Sequence, residues 1–271
     1  MMKRIRKPAV AGSFYPSDPG VLRTTVVTLL AEARGWHGAA PLALVAPHAG
    51  YVYSGPVAAS AYACLKPFRE RYRRVVLLGP AHRAAVRGIA LPDVDAFASP
   101  LGDVALDRET MGALDDPDVM VDDAAHRLEH SLEAQLPFLQ VMLNRFRLVP
   151  LLIGAAAPRA VTRVIERLWT SPDTLIVVST DLSHYLPHAE ARQRDHATCR
   201  AIEELTGEAL TGQDACGAAP LKGLLLAAER RGLAVRTLDL RNSGDTAGDR
   251  AQVVGYGAWI FTGEDTCVNA A

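Results

Sequence analysis

The feature that most constrains this chain is the alternation of short apolar runs with longer segments of helical spacing. Leu42–Ala46 (LALVA), Arg74–Leu78 (RVVLL), Leu148–Ile153 (LVPLLI) and Thr174–Ser179 (TLIVVS) are apolar through their centres. A strand with no polar side is covered on both faces, which is the rule in sheets with helices above and below. Gly88–Leu91, Val235–Leu240 and Gln252–Phe261 read as further strands. Helical spacing runs through Pro19–Arg34, Ser54–Leu65, Ser131–Phe146, Pro158–Trp169, His188–Leu205 and Pro220–Arg231, with Pro137 in the second turn of the third. The pattern predicts an α/β fold, a single-domain three-layer sandwich around a central, mostly parallel sheet. No internal repeat or low-complexity linker divides it. One domain is expected over residues 1–262, followed by a flexible tail at 263–271.

Composition removes several classes of function. With 49% hydrophobic and 22% charged residues the chain is of the globular type. A formal net charge of −1 provides no basic surface for nucleic acid. The apolar run Leu148–Ala157 is far short of the ~20 residues a membrane span requires. The N-terminus, MMKRIRKPAVAGSFYP, begins basic, but its apolar stretch is too short for a signal peptide, so a cytoplasmic location is expected. Cys64, Cys199, Cys216 and Cys267 are scattered and form no C-x-x-C pair, which suits reduced thiols. No P-loop, G-x-S-x-G elbow, H-E-x-x-H or G-x-G-x-x-G motif is present.

In an open α/β sheet, ligands bind beyond the carboxyl ends of the strands. LALVA is followed by Pro47-His48-Ala49-Gly50-Tyr51, RVVLL by Gly79-Pro80-Ala81-His82, and TLIVVS by Thr180-Asp181-Leu182-Ser183-His184. Val235–Leu240 leads into Arg241-Asn242-Ser243-Gly244-Asp245. Two imidazoles and a carboxylate on one face make a metal site with open positions, suited to Fe(II) if octahedral and to Zn(II) if tetrahedral. His184 is either a further ligand or an acid–base group, because histidine titrates near neutral pH. Glu129 and His130 either point into a pocket or merely precede a helix start at Ser131. His37, His126, His188 and His196 read as surface or helix residues, and Phe14-Tyr15 as packing or as the cover of a pocket.

Five ordered motifs carry a resemblance. They are Arg6-Lys7-Pro8-Ala9-Val10-Ala11-Gly12-Ser13-Phe14-Tyr15-Pro16, Ala46-Pro47-His48-Ala49-Gly50-Tyr51-Val52-Tyr53-Ser54-Gly55, Gly79-Pro80-Ala81-His82, Glu129-His130-Ser131-Leu132-Glu133 and Ser179-Thr180-Asp181-Leu182-Ser183-His184. Together they resemble the Memo family, whose prokaryotic branch is also called AmmeMemoRadiSam system protein B, from about Arg6 to Phe261. The resemblance implies a fold similar to class III extradiol ring-cleaving dioxygenases and a mononuclear metal held by His48 and His82. The animal branch supplies a cysteine as third ligand from the loop before the last strand. That place falls at or next to Asp245 here, so the expected set becomes His48, His82 and Asp245. Fe(II) is the expected cofactor, with Zn(II) or copper as alternatives.

By the same resemblance His184, beside Asp181, is the catalytic acid–base group, and His130 and Glu129 orient the substrate. The function implied is an iron-dependent, dioxygenase-like oxidoreductase. It would act on an unidentified small molecule in a pathway shared with a radical-SAM protein. The alternatives are a binding or adaptor protein for a ligand or phosphopeptide, and a zinc-dependent hydrolase.

Overall fold

A computed structural model describes residues 3–263. The strands are β1 (Ile5–Arg6), β2 (Ala43–Ala46), β3 (Arg74–Pro80), β4 (Ile89–Leu91), β5 (Ala96–Ser99), β6 (Gly102–Ala105), β7 (Val119–Val121), β8 (Arg147–Ile153), β9 (Thr174–Ser179), β10 (His184–Leu186), β11 (Ala234–Asn242) and β12 (Val253–Thr262). The helices are α1 (Pro19–Glu32), α2 (Tyr51–Tyr62), α3 (Arg108–Gly112), α4 (Asp123–Arg127), α5 (Leu136–Met142), α6 (Pro158–Leu168), α7 (His188–Glu203), α8 (Ala218–Arg230) and α9 (Ser243–Thr246). The tail expected at 263–271 lies outside the described residues apart from Gly263, and so does Cys267.

The main sheet runs in the order β10-β12-β2-β9-β3-β8-β4-β7, with β11 also paired to β12. Its centre, β2-β9-β3-β8, is parallel, and antiparallel pairing begins where β12 joins β2 and where β4 joins β8. The four central strands are the apolar runs of the sequence and are buried almost throughout. The chain passes from β2 to β3 in one direction across the sheet and from β8 back to β9 in the other. Right-handed crossovers therefore put α2 and α6 on opposite faces. α1 and α5 pack with α2, and α8 packs with α6, which completes the three layers. β9 ends up between β2 and β3, so the carboxyl ends of three strands from two crossover units lie side by side.

Some elements differ from the sequence reading for local reasons. The helix expected over Ser131–Phe146 is a 3-10 turn at Glu133–Gln135 followed by α5. Pro137 sits in the first turn of α5, where its missing N–H costs nothing. Ser131 is instead drawn onto the sheet, donating its hydroxyl to Pro80 O at 2.9 Å. A second, three-stranded sheet, β1-β5-β6, went unread because its strands are short and β6 is mostly exposed.

His126, read as a surface or helix residue, lies in the helix α4 but is buried, with Nε2 2.9 Å from Ala90 O and Nδ1 lacking a partner. Burial pushes its pKa down from 6.5 to about 4. The unfolded chain therefore takes up a proton before the folded one does. The stability contributed by neutral His126 is complete above about pH 6.5 and drains away as the pH falls toward 4. We expect the urea midpoint to drop over that window. His126→Gln, which keeps a donor for Ala90 O, should flatten the slope, and an unchanged slope would remove His126 as its source.

Candidate metal centre

The site is built at the carboxyl ends of β2, β9 and β3. His48 follows β2 by two residues and its side chain is 2% exposed. Its backbone N–H donates to Asp181 Oδ1 at 2.8 Å. Its Nδ1 lies 2.8 Å from Ser179 Oγ at the end of β9. That hydroxyl gives its one proton to Ser131 O at 2.6 Å and accepts from Gln135 Nε2 at 2.7 Å. Toward His48 it can only accept, so the network assigns the imidazole proton to Nδ1 and leaves a bare lone pair on Nε2.

His82, two residues past β3, is oriented by Glu129. The carboxylate accepts from His82 N at 2.6 Å and lies 3.0 Å from His82 Nδ1. It also accepts from His130 N and Ser131 N, both at 2.9 Å. Burial pushes the Glu129 pKa upward, but hydrogen bonds from His82 and Ser131 outweigh it and hold the group below the usual carboxylate range. An ionised acceptor fixes the proton on His82 Nδ1 and again frees Nε2. The side chain of Glu129 is 1% exposed and its carboxylate meets the His82 ring, so it positions that imidazole.

His130 completes the group. Its ring stacks on His82 with centroids 4.7 Å apart and meets His48 edge-on at 5.5 Å. Phe14 closes its other side at 4.9 Å. One ligand atom from each of His48, His82 and His130 lies within 4.8 Å of the other two. Burial, then the charge of His82, pushes the His48 pKa down to about 3. Burial, then the charge of His48, takes His130 to about 4. Both are neutral at physiological pH, the form that binds metal. His130 Nδ1 is buried without a hydrogen-bond partner. Three imidazoles, two of them preset in tautomer and one with an orphaned nitrogen, fit a divalent metal ion.

His130, and not Asp245, is grouped with His48 and His82. Asp245 accepts from His188 Nε2 at 2.8 Å and closes a capping box with Asn242 at the start of α9. The glycine-rich loop there turns tightly onto its own backbone and onto α7, which keeps the carboxylate outside the cluster. Asp245→Ala is therefore expected to leave metal content unchanged by elemental analysis. A loss of bound ion in that variant would return Asp245 to the centre.

Asp181 and His184 flank the cluster. Asp181 is buried, with Oδ2 4.0 Å from His48 Nε2, and burial raises its pKa. The charge of His184 acts on both His48 and Asp181. Tyr185, next to it, takes φ of 57° and is 69% exposed, a left-handed conformation that is costly for a bulky residue.

Sequence reasoning missed Cys216, whose Sγ lies 3.4 Å from His48 Nε2. Its one signal was a Cys-Gly pair just before a helix, far along the chain from every histidine motif.

The N-terminal strap locks the segment that carries Glu129 and His130. Arg6, at the end of β1, donates to the carbonyls of His126 and Glu129 and to the Glu133 carboxylate. Glu133, wholly buried, also accepts from Ala9 N at 2.7 Å, Val10 N at 3.0 Å and Tyr15 Oη at 2.6 Å.

Comparison with known proteins shows the family and the fold. The profile of a family described as Memo-like protein matches residues 6–260. A MEMO1 family protein of Aquifex aeolicus is 37% identical over 273 residues, covering 95% of this chain and 99% of that protein. A MEMO1 family protein of Aeropyrum pernix is 35% identical over 280 residues, covering 94% and 99%. The crystal structure of an uncharacterized Escherichia coli K12 protein superposes with a TM-score of 0.51, covering 80% of this chain and 98% of that one. At 15% identity it speaks to the fold alone. Among the described residues no helix is long and apolar enough to cross a membrane.

Proposed function

The chain belongs to the Memo-like family, and from that premise we propose that His48, His82 and His130 hold a single divalent metal in a dioxygenase-like oxidoreductase. The observation that carries this reading is the convergence of three imidazoles, His48 and His82 just past the ends of β2 and β3 and His130 from the segment before α5. Bound there, Fe(II) would supply open coordination positions for an electron-rich substrate and O2.

The chain's own residues do the rest. Ser179 and Glu129 hold two imidazoles in the tautomer a metal needs. Asp181 and His184 supply a proton acceptor and donor beside the cluster. Phe14 shields His130 from bulk water. The substrate is a small molecule able to chelate a metal, and a radical-SAM protein is its proposed partner in a common pathway. Oxidoreductase chemistry of this kind is proposed to take place in the cytoplasm.

Apoprotein loaded with Fe(II) without oxygen and then exposed to O2 with a panel of chelating catechols and thiols should consume oxygen. His184→Ala should slow that uptake by about 10²–10⁴-fold at retained metal content. Zinc-loaded protein should be inert to oxygen. A second reading has one observation in its favour: an all-histidine set is also that of hydrolytic zinc centres. Ester hydrolysis with zinc, indifferent to oxygen, would replace the oxidoreductase reading by that one. Peptide binding unaffected by His48→Ala and His82→Ala would replace both with an adaptor.

Glu129→Gln is expected to weaken metal binding by about 10–100-fold, because the neutral amide orients and polarises His82 less well. Competition with a chromophoric chelator measures this. An unchanged affinity would mean that Glu129 serves only the loop.

A further inference from the structure

We propose that the protein carries a second ligand site at the amino ends of β3 and β8, the end of the sheet opposite the histidines, and that it binds a small molecule bearing a diphosphate or similarly charged phosphate group. A cavity of about 580 Å³ opens there, inside the range of ~300–1,000 Å³ usual for small-molecule sites. Arg73, Arg74, Arg145 and Arg147 line it, with Phe146 as an apolar wall.

The register of the sheet forces these charges together. β3 and β8 are parallel with Arg74 beside Arg147, so the two side chains leave the sheet on the same face. Arg147 N donates to Arg73 O at 2.9 Å, which brings the flanking arginines in next to them. Like charges in register repel, and an anion set between them relieves the repulsion.

The chain's own carboxylates leave the group short of negative charge. Asp107 accepts from Arg74 Nε at 2.7 Å, and it is also taken up by Thr110 N at 3.2 Å and Thr110 Oγ1 at 2.9 Å. This single contact steadies the Arg74 guanidinium and leaves its two Nη groups for a ligand. Among the described residues Arg73, Arg145 and Arg147 have no ion-pair partner. Asp173 and Glu109 also line the cavity, yet the four guanidinium groups outnumber the three carboxylates. In a chain of formal net charge −1 this is a local excess of positive charge. Every cation is an arginine, whose planar fork engages two phosphate oxygens at once. Only an anion with several charges can answer more than one of these forks, which selects a diphosphate over a single carboxylate.

Isothermal titration calorimetry of the full-length protein with pyrophosphate, and separately with ADP, tests the proposal. Each should bind once per chain. Arg145 and Arg147 are exposed, so the double variant Arg145→Ala, Arg147→Ala should fold normally by circular dichroism and bind both probes about tenfold more weakly or worse. Glu109→Gln should tighten both by about two- to fivefold, because it removes a like charge from the cavity. Arg23→Ala with Arg159→Ala takes the same charge from other exposed surfaces and should change nothing. An equal loss in that control would reduce the effect to net charge and overturn the site. So would the absence of binding at millimolar pyrophosphate and ADP, or affinities unchanged in the Arg145, Arg147 variant. A single-stranded RNA that binds through these arginines while neither small probe does would give the patch to nucleic acid and overturn the proposal as well. His48→Ala should bind both probes as the wild type does, and a loss there would move the phosphate to the histidines.

Discussion

His48→Ala is expected to reduce bound metal from about one ion per chain to less than about a tenth, with His82→Ala close behind. The expectation rests on how the site is assembled. Each imidazole is neutral or oriented by a fixed acceptor, so the ion is held by coordination bonds more than by net charge. Removing one of three leaves two, and the space behind His48 is sealed by Asp181, which accepts from His48 N, and by Ser179, which donates its hydroxyl to Ser131 O. Elemental analysis of protein purified without oxygen and reconstituted with iron or zinc measures the effect, with far-ultraviolet circular dichroism as the check on folding. Stoichiometric metal in both variants would dismantle the centre.

Glu133→Ala is expected to cost about 3–5 kcal/mol of stability, because it strands the buried Arg6 guanidinium without its counter-charge. The same change leaves the N–H groups of Ala9 and Val10 and the Tyr15 hydroxyl without their acceptor. Arg6→Ala should be nearly as damaging from the other side. It frees the carbonyls of His126 and Glu129, which frame the segment that brings Glu129 and His130 to the site. The double variant should lose less than the sum of the two, since the second removal takes away a charge already left unpaired. Urea denaturation of the four proteins measures this. Strict additivity would mean the pair acts as two separate contacts.

The central sheet was legible because burial on both faces demands wholly apolar strands, and LALVA, RVVLL, LVPLLI and TLIVVS are such strands. Residues just past the ends of these strands are where an α/β sheet places ligand-binding groups, and His48 and His82 stand there, grouped with His130. His130 was harder to place because it comes from no strand end. It precedes a 3-10 turn, and its entry into the cluster depends on Arg6 and Glu133, more than a hundred residues apart in sequence. His126 looked like an exposed helix residue, because a five-residue helix is too short to display a buried face by periodicity.

By itself, then, the sequence determined the layered α/β architecture, the two histidines beyond β2 and β3, and the family. All three depend on local order: which residues are apolar in a row, and which residues come directly after them. Tertiary structure alone decided the membership of the site. Asp245 is kept out by a capping box and His188, His130 is brought in by the N-terminal strap, and Cys216 is set beside His48 by a glycine pressed against β9. The physical reason is that a metal site requires atoms within a few ångströms of one point. Segments separated by 34 to 168 residues reach that point only through the register of the sheet and the hydrogen bonds of buried polar groups.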